Sequence, residues 1–540
     1  MLDFAPSTLA DVLDRTGILL PSAAFALIVL AIIYHDRALF APARRPGVFY
    51  PGNALPLLGH TLQVLRMGTK DELDTTLEYI EAIQKTNFEH FPKGDFFRER
   101  FADVLGRTGI FVADGEVWKH ARKTASHIFS AGQFRNWVQT VVHDELDKVV
   151  SILDQTTASK GSNKDPQGVI VLPELFFRYT LNSFSRMAFG TDIGCLTHDV
   201  SCLSTPVPFA VAFDYAQLVI NERILMPGFQ FFEIFSSQGK KMKQAISTIR
   251  TFAGQIIDQR LQAAREAKRQ NALNPQSAPT HEGGSISQLA KKDGKDLLDL
   301  FMETTDDREE LLITVLNFLI AGRDTTAQLL SWFFYEMMAN PEYVDGIRRE
   351  LTEVLGDCPP EGYRLPYERM RDLPYTFACI TEALRLHPSV PKNGKQCTKD
   401  TLLVPASPNP HNLPPLQVFK GEMIGWSDWV MARIPEVWGP DCEQYNPARF
   451  LDTDSTTGAR VFRQYSQWQS HMFNGGPRLC LGMNLANFEA LSIVAAILPL
   501  YDVHWASAEQ GQTSSWPPAY LSSVTHPMEP YKVEFRRRQQ

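Results

Sequence analysis

The stretch FNGGPRLCLG, residues 473–482, places a single cysteine in a glycine-rich turn directly before a long apolar helical pattern. Its three glycines relieve steric limits on the backbone, so this part of the chain can pass close to a large flat group. The apolar pattern of residues 481–498 predicts a helix that ends before Pro499. We therefore expect Cys480 at a helix N-terminus, where unpaired amides and the helix dipole favour an anion.

A cysteine in this position has two chemical interpretations. The local field lowers the pKa of a thiol and favours the thiolate, which is either a nucleophile or a soft metal ligand. The nucleophile lacks a helper, because the nearest histidine, His471, lies in no motif that supports it as a base. The ligand needs only one cysteine if a macrocycle supplies the other ligands, as in heme with a proximal thiolate. A buried cysteine in a glycine-rich turn is the structural alternative.

The pattern F-x-x-G-x-R-x-C-x-G resembles the heme-binding signature of the cytochrome P-450 superfamily. It is met by Phe473, Gly476, Arg478, Cys480 and Gly482. The resemblance assigns all five to heme b, with Cys480 as the axial iron ligand. It implies a mainly α fold with a small β portion and one large heme domain. The implied activity is a monooxygenase that uses O2 and electrons derived from NADPH.

A second family segment, AGRDTT, lies in the middle of a helical pattern from about residue 306 to 339. Glycine, aspartate and threonine are poor formers of a helix interior, so their presence asks for a reason. The resemblance implies a groove over the heme, where Asp324 and Thr325 organise water and relay protons. It assigns Ala321 and Gly322 to the same catalytic segment. Local polar decoration of a helix is the alternative.

Two short motifs, EALR and NPARF, repeat the resemblance in chain order. EALR places Glu382 and Arg385 on one helical face. In the family, a third partner completes a structural Glu-Arg-Arg network behind the heme, and Arg449 of NPARF matches it. These three residues are therefore expected to form that network.

The heme propionates are assigned by the same resemblance. WKHAR places Trp118 and Arg122 four residues apart on one helical face, where the family donates to one propionate. Arg478 would serve the other propionate. Lys395 stands where many relatives carry arginine, and it lacks the fork geometry of a guanidinium. We expect Lys395 to bind a propionate more weakly.

Two longer segments indicate the substrate class. GIFVADGEVWKHARKTASHIFS and PEVWGPDCEQYNPARF are similar to the branch that hydroxylates alkanes and fatty acids at the chain end. Other lipophilic or aromatic substrates, a non-oxygenating heme-thiolate isomerase and a heme-based sensor are the alternatives. Six apolar residues fall near the family's substrate segments and are equally compatible with ordinary core: Phe111, Val112, Phe213, Ile320, Val390 and Pro391.

The N-terminal segment predicts membrane attachment. GILLPSAAFALIVLAIIY, residues 17–34, carries no charge, and its length is near the lower limit for spanning a bilayer. Acidic residues precede it and arginines follow it, so the positive-inside rule leaves the later chain in the cytoplasm. A buried core helix is the alternative. We expect, at the endoplasmic reticulum, a lumenal N-terminus (1–16), an anchor (17–36), a proline- and glycine-rich connector (37–60) and a catalytic domain (61–540).

Composition restricts the partners. The chain has 540 residues, of which 53 are basic and 61 acidic, and the net charge of −8 argues against a nucleic-acid binder. Seven scattered cysteines without a CxxC pair predict neither a zinc knuckle nor a disulfide scaffold.

No G-x-G-x-x-G motif is present, so a separate NADPH-dependent diflavin reductase is expected, with cytochrome b5 as a second electron donor. Lys119, Arg122 and Arg135 are candidates to meet the acidic face of the reductase, and a solvated helix face is the alternative.

Coarse patterning completes the expectation. Residues 70–390 are dominantly helical by apolar spacing. A polar, breaker-rich stretch, residues 265–296, predicts an exposed loop. The prolines of residues 404–422 suit a loop within a β-hairpin.

Overall fold

The structure is a computed structural model, and it describes residues 77–127, 137–158, 169–226, 228–273, 296–407, 412–506 and 530–539. The predicted anchor, 17–36, and connector, 37–60, lie outside the described residues, as does Arg135.

Helices form most of the described chain. They are α1 (Leu77–Glu81), α2 (Gly94–Leu105), α3 (Gly115–Ser126), α4 (Gln139–Ala158), α5 (Leu172–Phe189), α6 (Pro208–Leu225), α7 (Phe229–Phe235), α8 (Ser237–Leu273), α9 (Leu297–Met302), α10 (Arg308–Ala339), α11 (Glu342–Leu355), α12 (Pro374–Leu386), α13 (Asp428–Met431), α14 (Pro435–Trp438) and α15 (Met483–Ile497).

The strands are short and pair in antiparallel fashion. They are β1 (Val169–Val171), β2 (Lys392–Gln396), β3 (Thr401–Leu403), β4 (Leu416–Val418), β5 (Met423–Ser427), β6 (Leu451–Thr453), β7 (Arg460–Phe462), β8 (Tyr501–Trp505) and β9 (Lys532–Arg537). One sheet has the order β1-β9-β8, and the other pairs are β2-β5, β3-β4 and β6-β7. The predicted mainly α fold with a small β portion is confirmed.

Helix α10 runs through the main hydrophobic core. The Asp307 carboxylate caps it by accepting from the amides of Glu309 and Glu310, and the helix ends before Asn340 and Pro341. Leu316, Leu319 and most residues after 325 on this helix are buried. Because a helix that is apolar all round is stable only inside a core, α10 positions the polar AGRDTT segment in the protein interior.

Gly322 lies where α10 meets α5. A Cβ atom at this glycine would come within 2.2 Å of the Phe184 ring on α5. One residue later, the Arg323 carbonyl accepts a hydrogen bond of 2.8 Å from the Thr180 hydroxyl of the same helix. The structure therefore gives Gly322 a packing role against α5, and its role in a catalytic groove stays a prediction.

Two loop predictions have different outcomes. Helix α8 continues to Leu273, so the first part of the predicted loop 265–296 is helical, and residues 274–295 lie outside the described chain. The long polar side chains at the start of this stretch are good helix formers. The loop prediction rested on the glycines and prolines that follow them. Strands β3 and β4 pair from Thr401–Val418 to Leu403–Leu416, so the predicted β-hairpin is confirmed.

One stretch of the described residues is long and apolar enough to cross a bilayer. It is Val200–Ile224, with a mean hydropathy of 1.3 and 39% of it buried. It includes α6, whose Phe213 and Ala216 pack into the main core. This stretch is distinct from the predicted anchor and has the partial burial of a core helix.

The contact at Gly322 gives a test of the fold. We expect G322A to destabilise the protein by about 1–3 kcal/mol, because Phe184 must move to admit a methyl group. Alanine is favoured over glycine in a helix interior by about 1 kcal/mol, and the cost of moving Phe184 equals or exceeds this gain. Denaturant unfolding of the heme-loaded protein measures it, and the same change in an F184L background should cost less. An equal cost in both backgrounds would show that the ring is not the cause.

Candidate active site

The turn before α15 is built by two close backbone contacts. The Cys480 amide donates to the Phe473 carbonyl at 2.9 Å, which closes the turn. Gly476 has φ +62°, and a Cβ atom there would lie 2.6 Å from the Gln84 carbonyl oxygen. Since only glycine tolerates both the conformation and the approach, this position of the signature is fixed by sterics. Gly482 then occupies the N-cap of α15.

The Cys480 sulfur accepts hydrogen bonds from the backbone amides of Gly482 and Met483. These amides lower the pKa of the thiol, as does Arg122, but desolvation is the larger effect and leaves that pKa raised. The expected lowered pKa is therefore wrong for the protein alone. The side chain is nevertheless exposed to solvent. Solvent exposure of the residue and desolvation of its thiol by nearby protein atoms therefore occur together at Cys480.

The candidate base is engaged elsewhere. His471 is buried, and its Nδ1 atom pairs with the Asp428 carboxylate. Its Nε2 atom lies 3.3 Å from the Gln84 side-chain oxygen. With both ring nitrogens occupied by partners other than Cys480, the geometry favours the ligand interpretation over the nucleophile.

Three predicted heme-binding side chains come together beside this turn. The guanidinium carbons of Arg478 and Arg122 lie 4.6 Å and 5.8 Å from the centre of the Trp118 ring. Arg122 also donates to the Leu479 carbonyl at 2.8 Å. Arg478 donates to the Asp114 carboxylate at 2.9 Å. Arg122 is thus half-buried and held against the turn, and its contact with a reductase stays a prediction.

Lys395 is the fourth predicted heme-binding side chain, and it is 2% exposed. Its ammonium nitrogen has no hydrogen-bond partner within the described residues. Lys93, which donates to the Asn393 side chain at 2.6 Å, lies close enough to repel it. Desolvation, followed by Lys93 and Arg478, lowers the pKa of Lys395 to about 6. Desolvation and Arg478 likewise lower the pKa of Lys93 to about 7.

The electrostatics of these cations fit an anionic group. Asp114, which opposes the lowering of pKa at Lys93, Lys395 and Arg478, already pairs with Arg478. The Nε atom of that guanidinium has no partner in the described chain. Desolvated cations without counter-charges are unfavourable, and an anion that joins them removes the penalty. The two carboxylates of heme b match this excess, while the accessible Cys480 sulfur matches its iron.

The predicted Glu-Arg-Arg network is present. Arg385 donates to both oxygens of Glu382, at 2.7 Å and 2.8 Å, and both side chains are fully buried. Arg449 donates to the same carboxylate at 3.3 Å. Arg385 also donates to the Cys442 carbonyl at 2.8 Å. The network therefore ties α12 to the segment between α14 and β6, which precedes the cysteine turn.

The two predicted proton-relay side chains lie on α10 but bind different partners. The Thr325 hydroxyl donates to the Ala321 carbonyl at 2.8 Å. The Asp324 carboxylate accepts from Arg323 at 2.9 Å and from Gln217 of α6 at 2.7 Å. Desolvation raises the pKa of Asp324 to about 6, although Arg323 opposes the rise. Asp324 is thus a buried acid that titrates close to neutral pH.

The six apolar candidates divide by exposure. Phe111 and Val390 are 41% and 39% exposed, and Ile320 is half-buried. The other three, Val112, Phe213 and Pro391, are buried.

Two of the segments that carry these candidates are tied to α10. The Phe111 amide donates to the Asn317 side chain at 3.4 Å. The Ser389 hydroxyl, next to Val390, donates to the Thr325 carbonyl at 2.9 Å. The two attachment points are about 12 Å apart along the helix. A pocket role for these residues stays a prediction.

Sequence reasoning missed Lys93, Asp114 and Gln217. Lys93 lies in a PKG turn. Asp114 is 364 residues away in the chain from its partner Arg478. Only a contact across elements reveals that Gln217 reaches Asp324. No local spacing rule contains this information.

The comparison with protein families decides the identity. The family model described as Cytochrome P-450 matches residues 58–535. The chain belongs to the cytochrome P-450 family. Cytochrome P-450 monooxygenase cyp1 of Mycosarcoma maydis is 34% identical over 88% of this chain and 68% of its own length.

Plant members of the family are also similar over most of their length. Cytochrome P-450 86B1 of Arabidopsis thaliana is 31% identical over 78% of this chain and 70% of its own length. Cytochrome P-450 94C1 of the same organism is 30% identical over 82% of this chain and 81% of its own length. The predicted family is confirmed, and with it heme as the implied cofactor.

Lys395 provides a test of the site that does not depend on turnover. We expect K395M to stabilise the heme-free protein, because it removes a buried amine that has no hydrogen-bond partner in the described chain and whose charged form desolvation disfavours. The same change should accelerate heme loss about tenfold, which corresponds to one lost charge-assisted contact. Thermal unfolding of the heme-free form and heme transfer to an excess of apomyoglobin measure the two effects.

The matched control is K395R, which keeps a cation and should retain heme at close to the parent rate. If K395M loses heme no faster than the parent protein, Lys395 does not contact the cofactor.

Proposed function

We propose that this cytochrome P-450 is a membrane-anchored monooxygenase that hydroxylates long-chain alkanes or fatty acids near the chain end. One atom of O2 enters a C–H bond of the substrate, and the other becomes water with two electrons from NADPH and two protons. The observation that carries this proposal is the exposed Cys480, whose sulfur accepts from two amides beside a cluster of cations that Asp114 only partly balances.

Bound heme would supply the chemistry of O2 activation, favoured by electron donation from the thiolate. The chain's own contribution is to bind, orient and exclude water. Lys395 and Arg478 would hold the propionates together with Trp118 and Arg122. The amides of the cysteine turn would donate hydrogen bonds to the sulfur, and the metal would keep it deprotonated. Asp324 and Thr325 of α10, whose Thr325 carbonyl accepts from Ser389, would supply protons.

The substrate class rests on two supports. The segments around residues 109–130 and 435–450 are similar to the terminal-hydroxylase branch of the family. Phe111 and Val390 expose apolar surface from segments attached to α10, as a pocket for an alkyl chain requires. Oxidation of other lipophilic or aromatic compounds is the second candidate, because the same apolar surface accepts planar rings.

The proposed partners follow from the electron requirement. An NADPH-dependent diflavin reductase would deliver electrons at the membrane, with cytochrome b5 as a second donor. Residues 17–36 would anchor the protein in the endoplasmic reticulum and 61–540 would form the catalytic domain on the cytoplasmic side. A lipophilic substrate that partitions into the bilayer would then be concentrated beside the enzyme.

Turnover with a purified diflavin reductase tests the proposed function. We expect NADPH-dependent hydroxylation of a long-chain fatty acid or alkane, because an apolar pocket over heme orients the chain end. Product analysis by mass spectrometry identifies the oxidised carbon. Planar aromatics and sterols of similar size provide the comparison, and C480S protein is the inactive control.

The outcomes separate the candidates. Hydroxylation of aromatics alone would overturn the substrate class and leave the monooxygenase in place. Substrate that binds without chemical change, under conditions where the reductase reduces the heme, would favour a sensor over an enzyme.

A further inference from the structure

The loop between α2 and α3 is fastened to the core helix α10 by the side chain of Asn317. This side chain is fully buried. Its amide nitrogen donates to the Leu105 carbonyl at 2.8 Å, and its amide oxygen accepts from the Phe111 amide at 3.4 Å. The same nitrogen donates to the Ile313 carbonyl, one turn earlier on α10, at 2.8 Å. One side chain therefore holds both ends of residues 105–111, which we call the Phe111 loop.

Two glycines allow the Phe111 loop to lie directly on α10. Gly106 has φ +67°, and a Cβ atom there would come within 2.5 Å of the Ile313 side chain. A Cβ atom at Gly109 would lie 2.4 Å from the Asn317 amide nitrogen. Because a larger residue at either position would force the loop and the helix apart, the close contact depends on glycine at both places.

An amide side chain suits this set of contacts. Asparagine offers two donors and an acceptor in one plane, whereas an ionised aspartate only accepts and leucine does neither. Opening of the loop would leave the buried amide without these partners, which costs free energy. Asn317 therefore stabilises one position of the Phe111 loop.

The exposed ring of Phe111 lies next to this attachment. Its backbone amide is bound to a buried side chain, yet the ring itself is exposed. Ile320, a second candidate for the pocket, follows Asn317 by three residues and so lies on the same face of α10. Ala321, the first residue of the AGRDTT segment, is about one turn from Asn317. The attachment thus places an exposed aromatic ring beside the part of α10 that leads to this segment.

Reaction at the end of an alkyl chain depends on a rigid pocket wall. The C–H bonds of a terminal methyl group are stronger than those of the neighbouring methylene groups, so a chain that is free to slide is oxidised at a methylene group. A misplacement of about 1 Å can change a rate by about a hundredfold. Loops are more mobile than the elements they connect, and a loop that forms such a wall needs a fixed attachment.

We propose that Asn317 is a positioning residue that fixes the Phe111 ring as a wall of the pocket and so directs oxidation to the end of the alkyl chain. This inference deepens the proposed function and rests on it. When the loop is released, the chain slides and its methylene groups gain access. Terminal and subterminal hydroxylation each insert one atom of O2 and release one water with two electrons and two protons. The ratio of the two alcohols therefore reports the position of the chain.

The test compares N317L with S331A in the heme-loaded full chain. Leucine is similar in shape to asparagine but makes no hydrogen bond. Ser331 is also buried on α10, and its hydroxyl donates to the Ala327 carbonyl of the same helix at 2.7 Å. F111A removes the ring and keeps the attachment. Hydrogen–deuterium exchange of residues 105–113 reports release of the loop without any turnover.

We expect N317L to raise exchange of the Phe111 amide about fivefold, the effect of one lost hydrogen bond. With a long-chain fatty acid, NADPH and reductase, the ratio of subterminal to terminal alcohol should rise about tenfold. F111A should raise this ratio similarly and leave exchange near the parent rate. S331A should change neither quantity. Mass spectrometry measures both the exchange and the products.

G109A disturbs the same contact from the side of the loop. Its methyl group collides with the amide while Asn317 is kept, so it should reproduce both effects of N317L. An unchanged ratio in both N317L and G109A, or in F111A, overturns the inference. Unchanged exchange in N317L also overturns it, as does an equal rise of the ratio in S331A. A parent protein that hydroxylates neither fatty acids nor alkanes would instead overturn the proposed function.

Discussion

The Cys480 sulfur depends on its surroundings for its charge. Desolvation favours the neutral thiol, and the amides of Gly482 and Met483 together with Arg122 only partly oppose it. A bound metal cation supplies what these donors lack, because coordination deprotonates a thiol outright. Nearby, desolvation lowers the pKa values of Lys395 and Lys93, because too little negative charge lies close to their amino groups. One group that carries both a metal and two carboxylates resolves the two imbalances together.

The rest of the fold holds this turn in place. Gly476 packs against the Gln84 carbonyl, and the Cys480 amide bonds to Phe473, so the turn is fixed at both ends. Behind it, Glu382 binds Arg385 and Arg449 in a dry environment, where such pairs must be complete to be tolerated. Metal ligation with one protein atom needs this rigidity, since no second side chain corrects a displaced sulfur.

The sequence predicted most of the site because its constraints are local. The helix after Cys480 and the helix around Asp324 follow from apolar spacing and caps, and both lie within about two residues of their predicted starts. The Glu382 network was also expected in full. Two features that pattern alone did not predict depend on tertiary contacts. The packing demand on Gly322 comes from Phe184 on another helix, and the raised pKa of the Cys480 thiol comes from desolvation, which a helix-terminus argument ignores.

Contacts between distant segments explain the residues that were missed. Lys93 and Gln217 lie in no recognisable motif, although one adds charge beside Lys395 and the other holds Asp324. Both are long polar side chains whose default environment is solvent, so pattern alone gives them no role. The anchor and connector stay predictions, because they lie outside the described residues.

The most direct measurement is the carbon monoxide difference spectrum of the reduced, heme-loaded protein and of its C480H variant. Ligation by Cys480 predicts the red-shifted band of a thiolate-bound heme in the parent, and its loss in the variant while heme is retained. A parent spectrum with the unshifted band of a histidine- or water-bound heme would contradict the account, and so would a thiolate band that survives replacement of Cys480.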